Sequence, residues 1–421
     1  MTNDLLRPFE GNPRYVVVPG GLRDVHVHFR DPGVPEAETR ATGAAAAAAG
    51  GFTCVTTMPN TTPTGDNAAW LREQIEDAVL PCRIAPSACI TKGRLGREVA
   101  DLESLAAAGA VAFTDDGAFV EDAHVMEEAM RRAAKLGKPV MQHAVVPALL
   151  GAGVLRDCAV ARRFNLPVMP PEAETEAVRR DIAICRVTGC ALHVQHISCA
   201  GTVELIRAAQ REGLPVTGEA TPHHLLLSCE DIPDDDANWK MAPPLGSRDD
   251  VAAIRAGVKD GTLGLFATDH APHPAAKKTG GFRTSANGII GLETAAAITW
   301  QVMVTEEGMS PQDWITRWTT GPAALIGETP DPDSFTVIDT QANRAVDPAS
   351  FKSKSRNMPF AGMRFAAWPV LTVLRGRTTF SDSGGVQSPG CGRKRPRSNH
   401  PPYVQAARHI RPGRGRTFLS G

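Results

Sequence analysis

The sequence predicts an α/β chain built on a (β/α)8 TIM-like barrel, with a small, incomplete β-sandwich module formed by the two chain ends. Two observations predict the barrel. Short β-branched runs alternate with helical stretches from Val16 onward, and eight such units fill roughly 300 residues, against about 250 for the typical barrel. A third predicts the module: past Gly327 the pattern shifts to short β runs, Phe335 to Ile338 and Val370 to Leu374, parted by Asp, Pro, Ser and Gly turns.

In order, the expected strands are Leu22 to Phe29, Phe52 to Thr57, Arg83 to Ile90, Ala110 to Thr114, Pro139 to His143, Leu192 to Ile197, Pro215 to Glu219 and Gly264 to Thr268. Between them the spacing predicts helices such as Glu36 to Ala49, rich in alanine and stopped by Gly50-Gly51, and Glu121 to Leu136, stopped by Gly137. A doubly wound open sheet is the alternative, but no Gly-x-Gly-x-x-Gly follows the first strand. The expected organisation is residues 1–20 and 328–380 as the β module, 21–327 as the barrel, and 381–421 as a basic, disordered tail.

Composition supports a chain with a large core: of 421 residues, 42% are hydrophobic and 22% charged, which excludes collagen-like, coiled-coil and wholly disordered classes. No apolar run of about 18 residues occurs, and Met1-Thr2-Asn3-Asp4 does not open a signal peptide, so a cytoplasmic chain without a membrane partner is expected. Nine cysteines without a C-x-x-C pair read as reduced, buried thiols. The tail beyond Phe380 carries net +7 and the body −8. The tail lacks interleaved aromatics, so a solvated extension is expected and no nucleic-acid partner.

Asp24-Val25-His26-Val27-His28-Phe29-Arg30 is the strongest local signal, because strand alternation puts His26 and His28 on one face, half of a metal site. His143, His196, Asp269 and His270 close three other strands, and in a barrel all these C-terminal strand ends meet at one mouth. Asp115-Asp116-Gly117 adds a carboxylate able to bridge two metals. Asp269 is placed as ligand and general acid/base, and His273 over the substrate. Arg30, two residues past His28 on the same face, is an anion clamp, and Asn60 ends the second strand as a hydrogen-bonding partner for the same carboxylate. Adjacent His223 and His224 end the seventh strand and point to opposite sides, so at most one could face the mouth, and neither is placed on the metal; His124, His193, His400 and His409 read as structural or solvated. The loop from Pro274 to Asn287, with Lys277 and Lys278, is a candidate lid.

These motifs, with Met-Pro-Asn-Thr at Met58, His-Val-Gln-His-Ile-Ser at His193, Ala-Thr-Pro-His-His at Ala220, Ala-Thr-Asp-His-Ala-Pro-His at Ala267 and Ser-Lys-Ser-Arg-Asn-Met-Pro-Phe-Ala-Gly at Ser353, resemble dihydroorotases of the amidohydrolase superfamily over residues 17 to 376. The resemblance implies reversible cyclisation of N-carbamoyl-L-aspartate to L-dihydroorotate in pyrimidine synthesis, at a centre of one or two zinc ions. By motif, His26 and His28 would hold the first zinc, Asp116 would bridge, His143 and His196 would hold the second, and Asp269 would ligate and move the proton. Arg30, Asn60 and His273 would bind the substrate carboxylate and ring, with Gly288 presenting backbone to the ring amide. A homo-oligomer or an aspartate transcarbamoylase partner would be compatible.

Three positions depart from the family pattern: Ala242 where a polar substrate-binding residue is common, Ala144-Val145 after His143 where an acid is usual, and Asp31 where Glu is common. Two alternatives follow. One is a related cyclic amidase of dihydropyrimidinase or allantoinase type, against which Arg30 and Asn60 argue; the other is a non-catalytic subunit scaffolding aspartate transcarbamoylase, against which the filled ligand positions argue.

Overall fold

The computed structural model describes residues 5–75 and 79–382; the extension from residue 383, with Cys391, lies outside the described residues. After β1 (Tyr15–Pro19) come β2 (Leu22–Val27), β3 (Phe52–Thr57), β4 (Arg83–Ile84), β5 (Val140–Gln142), β6 (Leu192–Val194), β7 (Val216–Ala220) and β8 (Leu265–Phe266). These pair in parallel as β2–β3–β4 and β5–β6–β7–β8. Isolated bridges complete the circle. Ala88 pairs with Phe113 and Phe113 with Val140, spanning β4 to β5, while Val27 pairs with His270 and closes β8 onto β2.

The third and fourth expected strands are therefore shorter than the sequence suggests. Past Ile84 the third strand holds its neighbours by single bonds, Ala85 N to Val55 O at 2.9 Å and Ser87 N to Thr57 O at 3.0 Å on one side, Val111 N to Pro86 O and Ala88 N to Ala112 O, both 3.0 Å, on the other. Val25, Cys54, Ala85, Val111, Met141 and Leu265 come from six positions around the ring and meet in one cluster, which only the barrel interior allows. Val27, Phe52, Val55, Val140, Leu192 and Phe266 belong to the larger core shared with the helices.

The first helix runs Arg40–Ala49, starting later than Glu36 because Thr39 caps it, accepting a hydrogen bond from Thr42 N at 3.1 Å. Its small residues let it approach closely: a Cβ on Gly43 would lie 2.4 Å from the Phe29 ring. That contact seats the segment carrying His28 and Arg30. The helix Ala123–Lys135 likewise begins after Asp122, whose carboxylate accepts from His124 N at 2.8 Å.

Beyond the barrel come β9 (Phe335–Asp339), β10 (Arg344–Ala345), β11 (Arg364–Phe365), β12 (Trp368–Leu374) and β13 (Arg377–Ser381). The module is a four-stranded antiparallel sheet, β1–β9–β12–β13, with a separate two-stranded ladder β10–β11. Both chain ends thus contribute, Val17 lying opposite Val337. Thr336 Oγ1 donates to Gly51 O at 2.6 Å and Thr372 Oγ1 to Ala48 O at 2.8 Å, fastening the sheet to the first helix-to-strand turn of the barrel. No helix among the described residues is long and apolar enough to cross a membrane. All eight described cysteines are free and buried.

Candidate metal centre and active site

At the C-terminal ends of the barrel strands, two overlapping groups of side chains could hold metal ions: His26, His28 and Asp116, and Asp116, His143 and His196, with the ligand atoms of each group within 4.8 Å of one another. Asp116 belongs to both. Its Oδ1 lies 3.3 Å from His26 Nε2, 3.6 Å from His143 Nδ1 and 3.7 Å from His196 Nε2, and its Oδ2 lies 3.3 Å from His28 Nε2. Asp269 Oδ1 stands over the first group, 3.0 Å from His28 Nε2 and 3.4 Å from His26 Nε2. His143 Nδ1 and His196 Nε2 face each other at 2.8 Å.

The neighbouring Asp115 does a different job. Its carboxylate accepts from Ile90 N at 2.9 Å, Thr91 N at 3.1 Å and the Thr91 hydroxyl, tying two strand ends together and leaving Asp116 to face the cluster.

Three residues outside the expected ligand set orient the cluster. Glu219 accepts from His26 Nδ1 at 2.6 Å and from His196 N at 2.9 Å, and pairs with His193 Nε2 at 2.9 Å, so His193, expected to be structural or solvated, is a buried part of the support. Asp24 accepts from His26 N at 3.0 Å, Thr268 N at 3.1 Å and Thr268 Oγ1 at 2.5 Å, locking β2 to the end of β8. Gln195 places its amide 3.3 Å from His26 Nδ1. A glutamate inside the buried run Val216–Ala220 is the sequence signal that points to Glu219, since an unpaired charge there would be costly.

The donor set fits a cation. With Nδ1 given to Glu219 and Asn60, His26 and His28 both turn Nε2 toward Asp116 and Asp269. Asp116 Oδ1 is buried without a hydrogen-bond partner. Burial opposes a charge on His26, yet the carboxylates of Glu219, Asp116 and Asp269 outweigh it and push that imidazole well above its usual range. The cluster demands positive charge at its centre. Burial, reinforced by Arg30, holds His28 below the usual range, and burial does the same for His143, so both keep lone pairs available.

A cavity of about 330 Å3 opens onto this cluster, lined by His28, Arg30, Asn60, Asp116, His143, His196, Ala242, Asp269, His273 and Gly288 among others. All the expected site residues except buried His26 line it, and His26 lies directly beneath. A larger surface cavity of about 830 Å3 beside the helix Arg248–Asp260 contains none of them. Arg30, His196 and Asp269 have positive φ, 57°, 33° and 49°, an unusual backbone for these residue types that turns the chain at the strand ends into the mouth.

Several expectations change in detail. Arg30 reaches the cavity through its left-handed backbone and not by strand alternation, because β2 ends at Val27. Asn60 accepts from His28 Nδ1 at 2.9 Å and donates toward Asp116 O at 3.3 Å, so it supports the cluster as well as lining the cavity. Gly288 does not offer free backbone: its N–H donates to Lys240 O at 3.0 Å, and its carbonyl accepts from Lys278 Nζ at 2.9 Å and Asn357 Nδ2 at 3.0 Å. Its φ is 123°, and any Cβ at this position would lie 2.6 Å from Ala271 Cβ, which is why glycine stands there. His223 and His224 sit in the short helix Pro222–Leu226, where strand alternation does not apply; both are buried, with ring centroids 4.4 Å apart.

The Dihydro-orotase-like family profile matches residues 14–201. A dihydroorotase of Geobacillus thermodenitrificans is 43% identical over 383 residues, covering 87% of this chain and 89% of its own. The chain belongs to the dihydroorotase family. A second dihydroorotase, from Anaeromyxobacter dehalogenans, is 43% identical over 367 residues, covering 85% of this chain and 84% of the relative. Among solved structures, the L-hydantoinase of Arthrobacter aurescens superposes with a TM-score of 0.76 at 25% identity, covering 87% of this chain and 85% of that one. The barrel with its β module is thus the architecture of cyclic amidohydrolases, and the dihydroorotase family is metal-dependent, in keeping with the His/Asp groups of the mouth.

Proposed function

We propose that this chain is a metal-dependent dihydroorotase that interconverts N-carbamoyl-L-aspartate and L-dihydroorotate, with zinc as its metal. Arg30 carries the choice of substrate: its guanidinium lines the cavity, makes no ion pair with any carboxylate among the described residues, and has only Pro272 O at 3.5 Å as a partner. A planar cation that feels Asp269 and Asp116 through space but forms no ion pair with either keeps its fork for a substrate carboxylate. His273 and Asn60 flank it in the same cavity.

His26, His28, Asp116, His143, His196 and Asp269 would hold one or two ions, which when bound polarise the ring carbonyl and acidify the attacking water. In hydrolysis, water oxygen bonds to the amide carbon, the carbon–nitrogen bond breaks, and the ring nitrogen gains a proton. Asp269 is the residue to move it. Burial alone would raise its carboxyl, but His26 and His28 outweigh burial and keep it well below the usual carboxylate range, so before the reaction it is ionised and its oxygens are proton acceptors. Burial, with Arg30, lowers His273 to about 4, leaving a neutral imidazole that meets the ring without repelling Arg30.

Ala242 in the cavity wall favours one second reading, a cyclic amidase for uncharged rings, because its methyl offers the substrate no hydrogen bond. Competition separates the two. If dihydroorotate inhibits hydantoin turnover weakly and hydantoin is the better substrate, the carboxylate-clamp reading fails. The free buried thiols fit a reducing, cytoplasmic setting, and we take residues 21–327 as the catalytic barrel and 1–20 with 328–380 as its accessory module.

A further inference from the structure

Two polar side chains stand behind the substrate-facing wall without lining the reaction cavity. Lys278 Nζ donates to Lys240 O at 3.1 Å, Ala286 O at 2.9 Å and Gly288 O at 2.9 Å. Asn357 Nδ2 donates to Ala271 O and Gly288 O, both at 3.0 Å, while its Oδ1 accepts from His273 N at 3.1 Å. Ala242, Ala271, His273, Ala286 and Gly288 all line the reaction cavity, so the segments these two residues grip form part of its wall. Both gripping residues line instead a second cavity of about 470 Å3 that shares His273 with the first.

We propose that Lys278 is a positioning residue whose ammonium gathers the Lys240, Ala286 and Gly288 carbonyls and thereby sets the wall against which the substrate ring rests. The inference rests on the dihydroorotase reading. An ammonium has three donors and no acceptor, matching three carbonyls. The neutral amine has two donors and a lone pair, so losing the proton breaks one bond and sets a lone pair against a carbonyl oxygen. With Ala242 contributing no hydrogen bond, the shape of this wall carries more of the ring's recognition.

The charge on this latch is exposed to pH. Burial, then the neighbouring Lys240, lowers Lys278 to about 7, with Asp236 opposing. Lys240 is itself turned away, its Nζ donating to Ser285 O at 2.6 Å. Lys277 precedes it in the same short helix, His273, Glu36, Lys354 and Arg356 line the second cavity with it, and no carboxylate among the described residues forms an ion pair with it.

The test uses the full, metal-loaded chain and steady-state hydrolysis of dihydroorotate from pH 6 to 9 for the wild type, Lys278→Met and Lys278→Arg, with folding checked by circular dichroism. Lys278→Met should raise KM about tenfold, the scale of one lost hydrogen bond to a charged group, while kcat changes by less than about threefold. Wild-type KM should rise as pH passes about 7, and Lys278→Arg, charged throughout, should lack that rise. Wild-type KM in Lys278→Met, or the same rise in Lys278→Arg, overturns the latch. If Lys278→Met does not fold, the comparison of wild type with Lys278→Arg still decides. A wild type that hydrolyses hydantoin and not dihydroorotate overturns the functional reading, and the same KM comparison on hydantoin then decides the latch.

Discussion

Glu219 Oε1 and His26 Nδ1 lie 2.6 Å apart, both fully buried, and this one contact between β7 and β2 fixes which nitrogen of His26 faces the cluster. The same carboxylate reaches His193 and the backbone of His196, so one side chain positions ligands from both metal groups. Burial would raise its carboxyl, but His26 and His193 outweigh it and hold Glu219 well below the usual range.

Glu219→Gln should therefore weaken metal binding by about 10- to 100-fold, the usual effect of removing a carboxylate behind a ligating histidine. Competition with a chromophoric chelator reads this directly. Metal affinity equal to wild type would show that His26 needs no such partner.

Asp269→Asn should lower kcat by a factor of about 10² to 10⁴ while metal stays bound, since the amide keeps the shape but accepts no proton. Metal content and turnover are measured on the same sample. Near-normal kcat would remove the proton-transfer role.

Arg30→Met should raise KM for dihydroorotate by roughly 10- to 150-fold, equivalent to about 1.5–3 kcal/mol for hydrogen bonds to a charged group, and leave thermal stability nearly unchanged. Affinity for an uncharged ring such as hydantoin should not fall. An equal loss for both ligands would mean that Arg30 shapes the cavity without reading the carboxylate.

Much of this site is legible in the sequence because strand periodicity and barrel topology act together. His26 and His28 alternate along β2 and its end, and His143, His196 and Asp269 follow β5, β6 and β8, so knowing the strand ends is enough to bring them to one mouth. Residues whose role depends on a partner far along the chain are harder to see. Glu219 meets His26 across 193 residues and Asn357 meets Ala271 across 86, and no local pattern marks either pairing. Gly288 lies at the cavity as the family resemblance implies, but which groups use its N–H and carbonyl depends on Lys240, Lys278 and Asn357 from separate segments. The strand rule fails for His223 and His224 because Pro222 starts a helix, and their shared burial is invisible to it.

Stability should carry a pH signature from Glu293. Burial raises its carboxyl to about 7, although Lys352 N and Ser353 N donate to it at 2.9 and 3.1 Å. An acid whose folded pKa lies above its unfolded value contributes stability that is complete below the unfolded value, about 4.5, and is lost as pH rises through about 7. The melting temperature of wild type minus that of Glu293→Gln should thus fall between pH 5 and pH 8. A difference that is flat with pH would contradict the assignment.

Dihydroorotate hydrolysis by the purified, zinc-supplemented chain, followed as loss of ring absorbance beside a His26→Ala control, tests the central claim most directly. Turnover by the wild type that the control lacks is the predicted result. Absence of turnover in the wild type with zinc bound, or equal turnover in His26→Ala, would contradict it.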